Sequence, residues 1–134
     1  DEGAGQPTAL MLFSPFLRYD MKSPAIDANA RTEAWLSSRR LLQASGAYIQ
    51  DHEPDDPAIA AIAGDLSGLP PVHIYAAEAE ALADDARLCA ERITAAGGKV
   101  TRTMAADSVH AYPLCPDLAE TQAMFGEVAS IAKA

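Results

Sequence analysis

The chain has 134 residues, a length that suits one domain with a modest hydrophobic core. Its 19 acidic residues outnumber its 10 basic ones and give a net charge of −9, which argues against nucleic acid as a partner because phosphate binding needs clustered cations. No apolar run is long enough to span a membrane, and the first residues of the sequence do not show the charged-then-apolar pattern of a signal peptide.

Two further features of the sequence concern its origin and compartment. It starts at Asp1 without a methionine, which indicates a processed, truncated or engineered start. Cys89 and Cys115 match no zinc-ligand spacing and make no disulfide framework, so no metal is expected. Free thiols favour a reducing, cytoplasmic compartment.

The first half of the chain predicts one strand and one clear helix. After a polar lead-in over residues 1–7, the nearly continuous apolar run at 8–13 predicts a strand buried on both faces. Residues 16–31 are predicted to be irregular. A helix is predicted over 32–45, capped by Thr32 and ended by Gly46. Residues 58–66, rich in Ala and Ile, predict a further short helix.

The second half alternates regularly between the two kinds of element. A strand is predicted at 72–76, a helix at about 82–96 ended by Gly97 and Gly98, and a third strand at 99–105. A last helix is predicted from Asp117, with Glu120 completing a capping box. The predicted buried faces are Leu82, Ala86, Cys89 and Ile93 on the first of these helices and Leu118, Phe125, Val128 and Ala132 on the last.

This alternation predicts an α/β fold with about three parallel strands and flanking helices. The first strand is too apolar to be an ordinary edge strand, because an exposed apolar edge invites pairing with another chain. The sheet is therefore predicted to be incomplete, with a neighbouring strand missing beside residues 8–13.

Two polar residues follow the ends of neighbouring predicted strands. Glu80 comes just after the strand at 72–76, and His110 lies in the loop after the strand at 99–105. The carboxyl ends of parallel strands gather the functional loops of an open α/β sheet. A carboxylate beside an imidazole can hold it in one tautomer while it acts as general base to a serine.

The sequence leaves alternatives open for the acid. Glu78 competes with Glu80, and Asp84, Asp85 and Asp107 are further candidates. For an isolated acidic residue or histidine, a non-catalytic role is more common than a catalytic one. Glu80 would then only favour a helix N-terminus, and His110 would be a polar loop residue.

The other histidines and the serines carry weaker signals. His73 is predicted to be a hydrogen-bonded core histidine, and His52 to be solvated in an acidic loop. Ser14 lacks the flanking glycines of a strained Gly-x-Ser-x-Gly elbow. Ser108 is too close to His110 along the chain to be a convincing nucleophile. No serine in the sequence therefore fits the role of nucleophile.

Four segments together resemble the C-terminal half of an α/β-hydrolase of the hormone-sensitive-lipase-like esterase family (α/β-hydrolase fold-3). They are Leu-Met-Leu-Phe-Ser-Pro-Phe from residue 10, Gly-Leu-Pro-Pro from residue 68, Glu-Ala-Leu-Ala-Asp-Asp-Ala from residue 80 and Asp-Ser-Val-His-Ala-Tyr from residue 107. They cover nearly the whole chain in the family's order. The sequence departs from the family where Ala77 replaces a glycine and where the Asp-Pro at residue 56 lacks the Ser-Pro that often follows it.

The resemblance implies a serine esterase acting on small acyl esters without metal or organic cofactor. Glu80 takes the family's acid position and His110 its histidine position. Residues 1–134 would be the C-terminal portion of one domain, with 16–66 forming a helix and a substrate wall or cap. The serine would lie on an N-terminal half of the same hydrolase that is absent here. The alternatives are a catalytically inactive α/β fragment with an interaction or structural role, and an unrelated small α/β domain.

Overall fold

The computed structural model describes residues 5–133. The expectation attached to Asp1, and part of the lead-in predicted for residues 1–7, fall outside that range. Within it, three strands, β1 (Leu10–Phe13), β2 (Val72–Ala77) and β3 (Val100–Ala105), form one parallel sheet in the order β1-β2-β3. Leu10 pairs with Val72, and Val72 with Val100. The predicted parallel α/β architecture is confirmed.

Within the described residues, four helices accompany the sheet. They are α1 (Pro24–Ala28), α2 (Ser38–Ile49), α3 (Ala83–Ala95) and α4 (Ala119–Ile131). Short 3-10 turns lie at Ala61–Ala63 and Tyr112–Leu114. Helix α3 ends as predicted: Gly97 has φ +78°, and the N–H of Gly98 donates to the carbonyl of Ile93 at 2.9 Å.

The core lies on both faces of β2 because side chains alternate along a strand. Val72, Ile74 and Ala76 pack on one face against α3, whose buried residues include the predicted Ala86, Cys89 and Ile93. Tyr75 points to the opposite face and packs with Tyr112 and with Met124 of α4. The sheet is thus covered on one side by α3 and on the other by α4.

Strand β1 is less buried than its sequence predicts. Its first three residues are half-buried and Phe13 is 44% exposed, so the expectation of burial on both faces is wrong for the described chain. Within residues 5–133, β1 pairs only with β2 and leaves its other edge without a strand. This agrees with the prediction of an incomplete sheet.

Several boundaries in the first half differ from those predicted. Helix α2 begins after Ser37, whose hydroxyl accepts the N–H of Arg40, and runs through Gly46 to Ile49. Thr32 does not cap it, because the Glu33 carboxylate accepts the N–H groups of residues 35 and 36 and holds them outside the helix. Helix α1 occupies part of the stretch predicted to be irregular, and the predicted helix at 58–66 is only a single turn.

The last helix also begins later than predicted. Leu118 occupies its N-cap position and no side chain caps it, so the capping box predicted from Asp117 and Glu120 is wrong. Thr121 and Met124 are the buried residues of α4, while Phe125 is 48% exposed. The buried stripe follows the contact with Tyr75 and Tyr112, which the helix sequence alone does not reveal.

Candidate active site

Glu80 and His110 lie at the same end of the sheet. Glu80 comes three residues after β2, and His110 five residues after β3. Because the two strands are adjacent and parallel, their carboxyl ends bring the two loops together. Glu80 is completely buried, and the His110 side chain is 16% exposed. The sequence prediction that these residues approach each other agrees with this arrangement, and their catalytic role stays a prediction.

The two side chains meet through one oxygen and one nitrogen. Glu80 Oε2 lies 3.3 Å from His110 Nδ1, a distance suited to an ion pair with the protonated ring. It is slightly longer than a well-formed N–H···O hydrogen bond of about 2.9 Å, and Nδ1 makes no aligned hydrogen bond within residues 5–133. Glu80 Oε1 is also buried without a partner in that range. The carboxylate therefore makes its polar contacts through Oε2.

Ser14 makes the shortest contact with this carboxylate. Its hydroxyl donates to Glu80 Oε2 at 2.7 Å and accepts the backbone N–H of Ala111 at 3.0 Å. Sequence reasoning considered Ser14 only as a nucleophile and missed this contact. The available signal was a serine placed directly at the carboxyl end of the apolar run that forms β1.

Two of the competing carboxylates do not pair with His110: one pairs with an arginine and the other is exposed to solvent. Glu78 is 44% exposed and forms an ion pair with Arg87. Asp107 lies exposed in the turn after β3. Neither carboxylate contacts His110 among the described polar interactions, so neither has the geometry of its partner.

Asp84 holds the segment that contains α1. It accepts the N–H of Ala25 at 2.8 Å and the hydroxyl of Ser23 at 3.1 Å, and it pairs with Arg87 at 2.9 Å. Partial burial alone would raise the pKa of Asp84, but the Ala25 N–H, the Arg87 guanidinium and the Ser23 hydroxyl together lower it below its ordinary value. Asp84 is thus an ionised structural anchor.

Asp85 is the second anchor. Its Oδ2 accepts the N–H groups of Leu17 at 2.8 Å and Arg18 at 3.0 Å. Burial raises the pKa of Asp85, and these two N–H groups offset only part of that rise. The adjacent carboxylates at the start of α3 therefore bind the chain that leaves β1, and none of their hydrogen bonds or ion pairs within residues 5–133 reaches the histidine loop.

The turn that carries Glu80 is held by residues 29–33. The Asn29 side-chain amide donates to the carbonyls of Glu78 at 3.0 Å and Glu80 at 2.8 Å. The Glu33 carboxylate accepts the N–H of Ala81 at 2.8 Å. These contacts fix the backbone on both sides of the Glu80 side chain, so its carboxylate enters the site from a defined turn.

The histidine loop is held from the other side of the sheet. Ala111 has φ +52°, and Tyr112, only 1% exposed, packs beneath it. The Thr121 hydroxyl of α4 donates to the Tyr112 carbonyl at 2.8 Å. Burial, followed by the nearby Glu127 and Glu80 carboxylates, raises the pKa of Tyr112. Tyr112 therefore stays neutral and serves as a packing residue below His110.

The remaining histidines lie elsewhere. His73 Nδ1 is 2.8 Å from the Thr101 hydroxyl on the half-buried face of the sheet, so the predicted hydrogen bond is present but the full burial is not. His52 pairs with Asp56 at 3.1 Å and is 53% exposed, as predicted for a solvated loop. In the described polar contacts, neither ring reaches Glu80.

Residues 5–133 contain no cluster of three His, Cys, Asp or Glu side chains arranged to hold a metal ion. In the same part of the chain, no helix has the length and apolarity needed to cross a membrane.

Comparison with known proteins gives a consistent family signal. The model of a family described as an alpha/beta hydrolase fold matches residues 1–114. An esterase from Acinetobacter venetianus is 33% identical over 95 residues, which are 70% of this chain and 31% of that protein. The carboxylesterase NlhH of Mycobacterium tuberculosis is 34% identical over 108 residues, covering 76% of this chain and 33% of the relative. The chain thus spans about a third of the length of these curated relatives.

A solved structure shares the fold closely. A hormone-sensitive lipase from a metagenome library superposes with a TM-score of 0.89 at 25% identity. The match covers 96% of this chain and 45% of that protein.

Proposed function

Because the chain belongs to the α/β-hydrolase fold family, in its hormone-sensitive-lipase-like group, we propose that it supplies the acid and the histidine of an ester hydrolase. Glu80 is the acid and His110 is the general base. One observation carries the proposal: a completely buried carboxylate lies 3.3 Å from the histidine Nδ1, at the carboxyl ends of two adjacent parallel strands.

Because Nδ1 of His110 faces Glu80, Nε2 is the ring nitrogen that can take part in proton transfer. In the proposed tautomer the proton is on Nδ1, the nitrogen 3.3 Å from Glu80 Oε2, so Nε2 is unprotonated and can accept the proton of a serine hydroxyl as it attacks an ester carbonyl. The imidazolium that results is stabilised by the carboxylate. It then donates its proton to the leaving alcohol, and the same cycle with water releases the acid and frees the serine.

The nucleophile is proposed to lie on a segment outside these 134 residues. No serine of the sequence is flanked by the glycines of a nucleophile elbow. The Ser14 hydroxyl is engaged by Glu80 and Ala111 on the Nδ1 side of the ring, and Ser108 is buried without a polar partner in the described chain. The aligned residues make up only 31% and 33% of these relatives, which leaves room in them for such a segment.

The same proposal assigns the domain and its partners. Residues 1–134 are the C-terminal portion of one hydrolase domain, and residues 16–66 contribute to the wall of the substrate site. The open edge of β1 supports a neighbouring strand from the preceding portion of the hydrolase. The substrate class is a small acyl ester.

The test is ester turnover by the polypeptide that contains this chain together with the proposed preceding segment. We expect hydrolysis of p-nitrophenyl acetate or butyrate, and a loss of roughly 10³-fold or more in kcat for His110→Ala. Glu80→Gln should also lower kcat by orders of magnitude, because it removes the charge that stabilises the imidazolium. His73→Ala is the matched control, since His73 lies in β2, outside residues 16–66, and its Nδ1 contacts the Thr101 hydroxyl.

Two outcomes would count against this function. Near-normal turnover by the His110→Ala enzyme would remove His110 from the mechanism. Turnover by the 134-residue chain alone would show that the nucleophile does not lie on a preceding segment.

A further inference from the structure

We propose that Ser14 is a positioning residue that sets the orientation of the Glu80 carboxylate toward His110; this inference rests on the proposed esterase function. Ser14 follows the last residue of β1, and its backbone N–H donates to the carbonyl of Tyr75 at 2.8 Å. The residue is 5% exposed. The end of β1 therefore holds the Ser14 backbone in place, and its hydroxyl lies beside the Glu80 carboxylate.

The two hydrogen-bond partners of the Ser14 hydroxyl determine which bond it donates and which it accepts. A backbone N–H can only donate, so the bond from Ala111 at 3.0 Å occupies an acceptor position of Oγ. The one hydroxyl proton is then directed to Glu80 Oε2 at 2.7 Å. A hydrogen bond donated to a carboxylate is charge-assisted and stronger than one between neutral groups.

This bond restricts rotation of the carboxyl group. Glu80 Oε1 has no polar partner within residues 5–133, so the contacts of Oε2 with Ser14 and His110 select the carboxyl orientation in that part of the chain. Ser14 also links the acid to the histidine loop, because Ala111 is the residue next to His110. One hydroxyl thus fixes both the acid and the backbone that carries the base.

The strained backbone of both Ser14 and Ala111 also supports a functional role for their contact. Ser14 has φ +43° and Ala111 has φ +52°, values that non-glycine residues adopt only where surrounding contacts require them. The two residues are 97 positions apart in sequence and are joined by the Ala111 N–H bond. Strained residues cluster at functional sites, and these two flank the acid–histidine pair.

The experiment compares Ser14→Ala and Ser14→Gly in the full hydrolase with p-nitrophenyl butyrate as substrate. Both variants lack the hydroxyl, and glycine also accommodates the positive φ without strain. We expect kcat to fall by about 10- to 100-fold for both, with KM changed less than about 2-fold, because the proposed role of Ser14 is to orient Glu80 and not to bind substrate. Ser130→Ala is the matched control: Ser130 lies on α4, outside residues 16–66, and its hydroxyl donates to the Gly126 carbonyl at 3.0 Å, so its loss should not change kcat.

A double-mutant cycle separates positioning from general structure. If Ser14 acts through Glu80, then Ser14→Ala should lower kcat by less than about 2-fold in a Glu80→Gln enzyme. An equal loss in both backgrounds would overturn the inference, as would a kcat for Ser14→Gly equal to that of Ser130→Ala. Absence of ester turnover in the wild-type enzyme, or an unchanged kcat in His110→Ala, would instead refute the proposed function. Both enzymes are therefore assayed before any Ser14 variant.

Discussion

Replacing Asn29 by alanine tests whether the turn that carries Glu80 is held by the segment after β1. The substitution removes the side-chain amide that donates to the carbonyls of Glu78 at 3.0 Å and Glu80 at 2.8 Å. A net contribution of about 1 kcal/mol per hydrogen bond gives a loss of about 2 kcal/mol in the free energy of unfolding.

That loss can be converted into a melting temperature. An unfolding entropy of about 2.1 cal/mol/K per residue gives about 0.28 kcal/mol/K for a chain of this length, so Tm should fall by about 7 °C. Differential scanning calorimetry measures the shift directly. Gln43→Ala is the control, because Gln43 is an exposed residue of α2 and makes no side-chain hydrogen bond in the described structure.

Asn29→Asp sharpens the test. An aspartate has nearly the same shape but cannot donate when ionised, and its charge would face two carbonyl oxygens. We expect it to be less stable than Asn29→Ala by about a further 1 kcal/mol. An Asn29→Ala chain that melts within about 1 °C of the wild type, or an aspartate variant that is more stable than the alanine variant, would refute the reasoning.

Three further predictions concern the core, an anchor carboxylate and the thiols. Ile74→Ala should lower the free energy of unfolding by about 2–5 kcal/mol in urea titrations, because Ile74 is 1% exposed between β2 and α3; a loss below about 1 kcal/mol would contradict that packing. Because the pKa of Asp85 is raised above 3.8 in the folded chain, its protonated form stabilises the fold at low pH and that stability is lost as the pH rises through the folded pKa. Asp85→Asn should therefore gain stability relative to the wild type as the pH rises above the ordinary pKa of 3.8, and a relative loss over that rise would contradict the raised pKa. Burial raises the pKa of the Cys89 thiol, so iodoacetamide should label Cys115 first in native peptide mapping, and the opposite order would be inconsistent with the structure.

Local signals in the second half of the chain were sufficient to predict β2, α3 and β3. The apolar face of α3 repeats at helical spacing, and the glycine pair at its end provides the positive φ of Gly97 that closes the helix. Such features depend only on neighbours in sequence. They therefore agree closely with the observed bounds of Ala83–Ala95.

The segment from Phe16 to Ser37 could not be predicted in the same way. Its conformation depends on carboxylates from distant residues, since Asp84 and Asp85 bind its backbone N–H groups across 59 and 68 positions of sequence. Within the segment, Glu33 captures N–H groups that a helix would otherwise use. Hydrophobic periodicity contains no information about these long-range contacts.

In the candidate site too, some features could be predicted from neighbouring residues and others depend on distant contacts. The residues themselves predicted an acid and a histidine at neighbouring strand ends, but they did not choose among several carboxylates, a choice that came from the family resemblance. Burial distinguishes them: Glu80 is completely buried beside His110, whereas Glu78 is 44% exposed beside Arg87. The contribution of Ser14 was not foreseen because it depends on the 66-residue separation between β1 and the acid.

The separations along the chain have a consequence for the order of folding. Strand β2, helix α3 and strand β3 are consecutive, and His110 follows Glu80 by only 30 residues. Ser14, by contrast, is 66 residues from Glu80 and 97 from Ala111, so its bonds require closure of much longer loops. Loop-closure entropy favours assembly of the β2–α3–β3 unit in the folding transition state, with β1 docking afterwards. Loss of the Ser14 hydroxyl should consequently accelerate unfolding while leaving the refolding rate nearly unchanged.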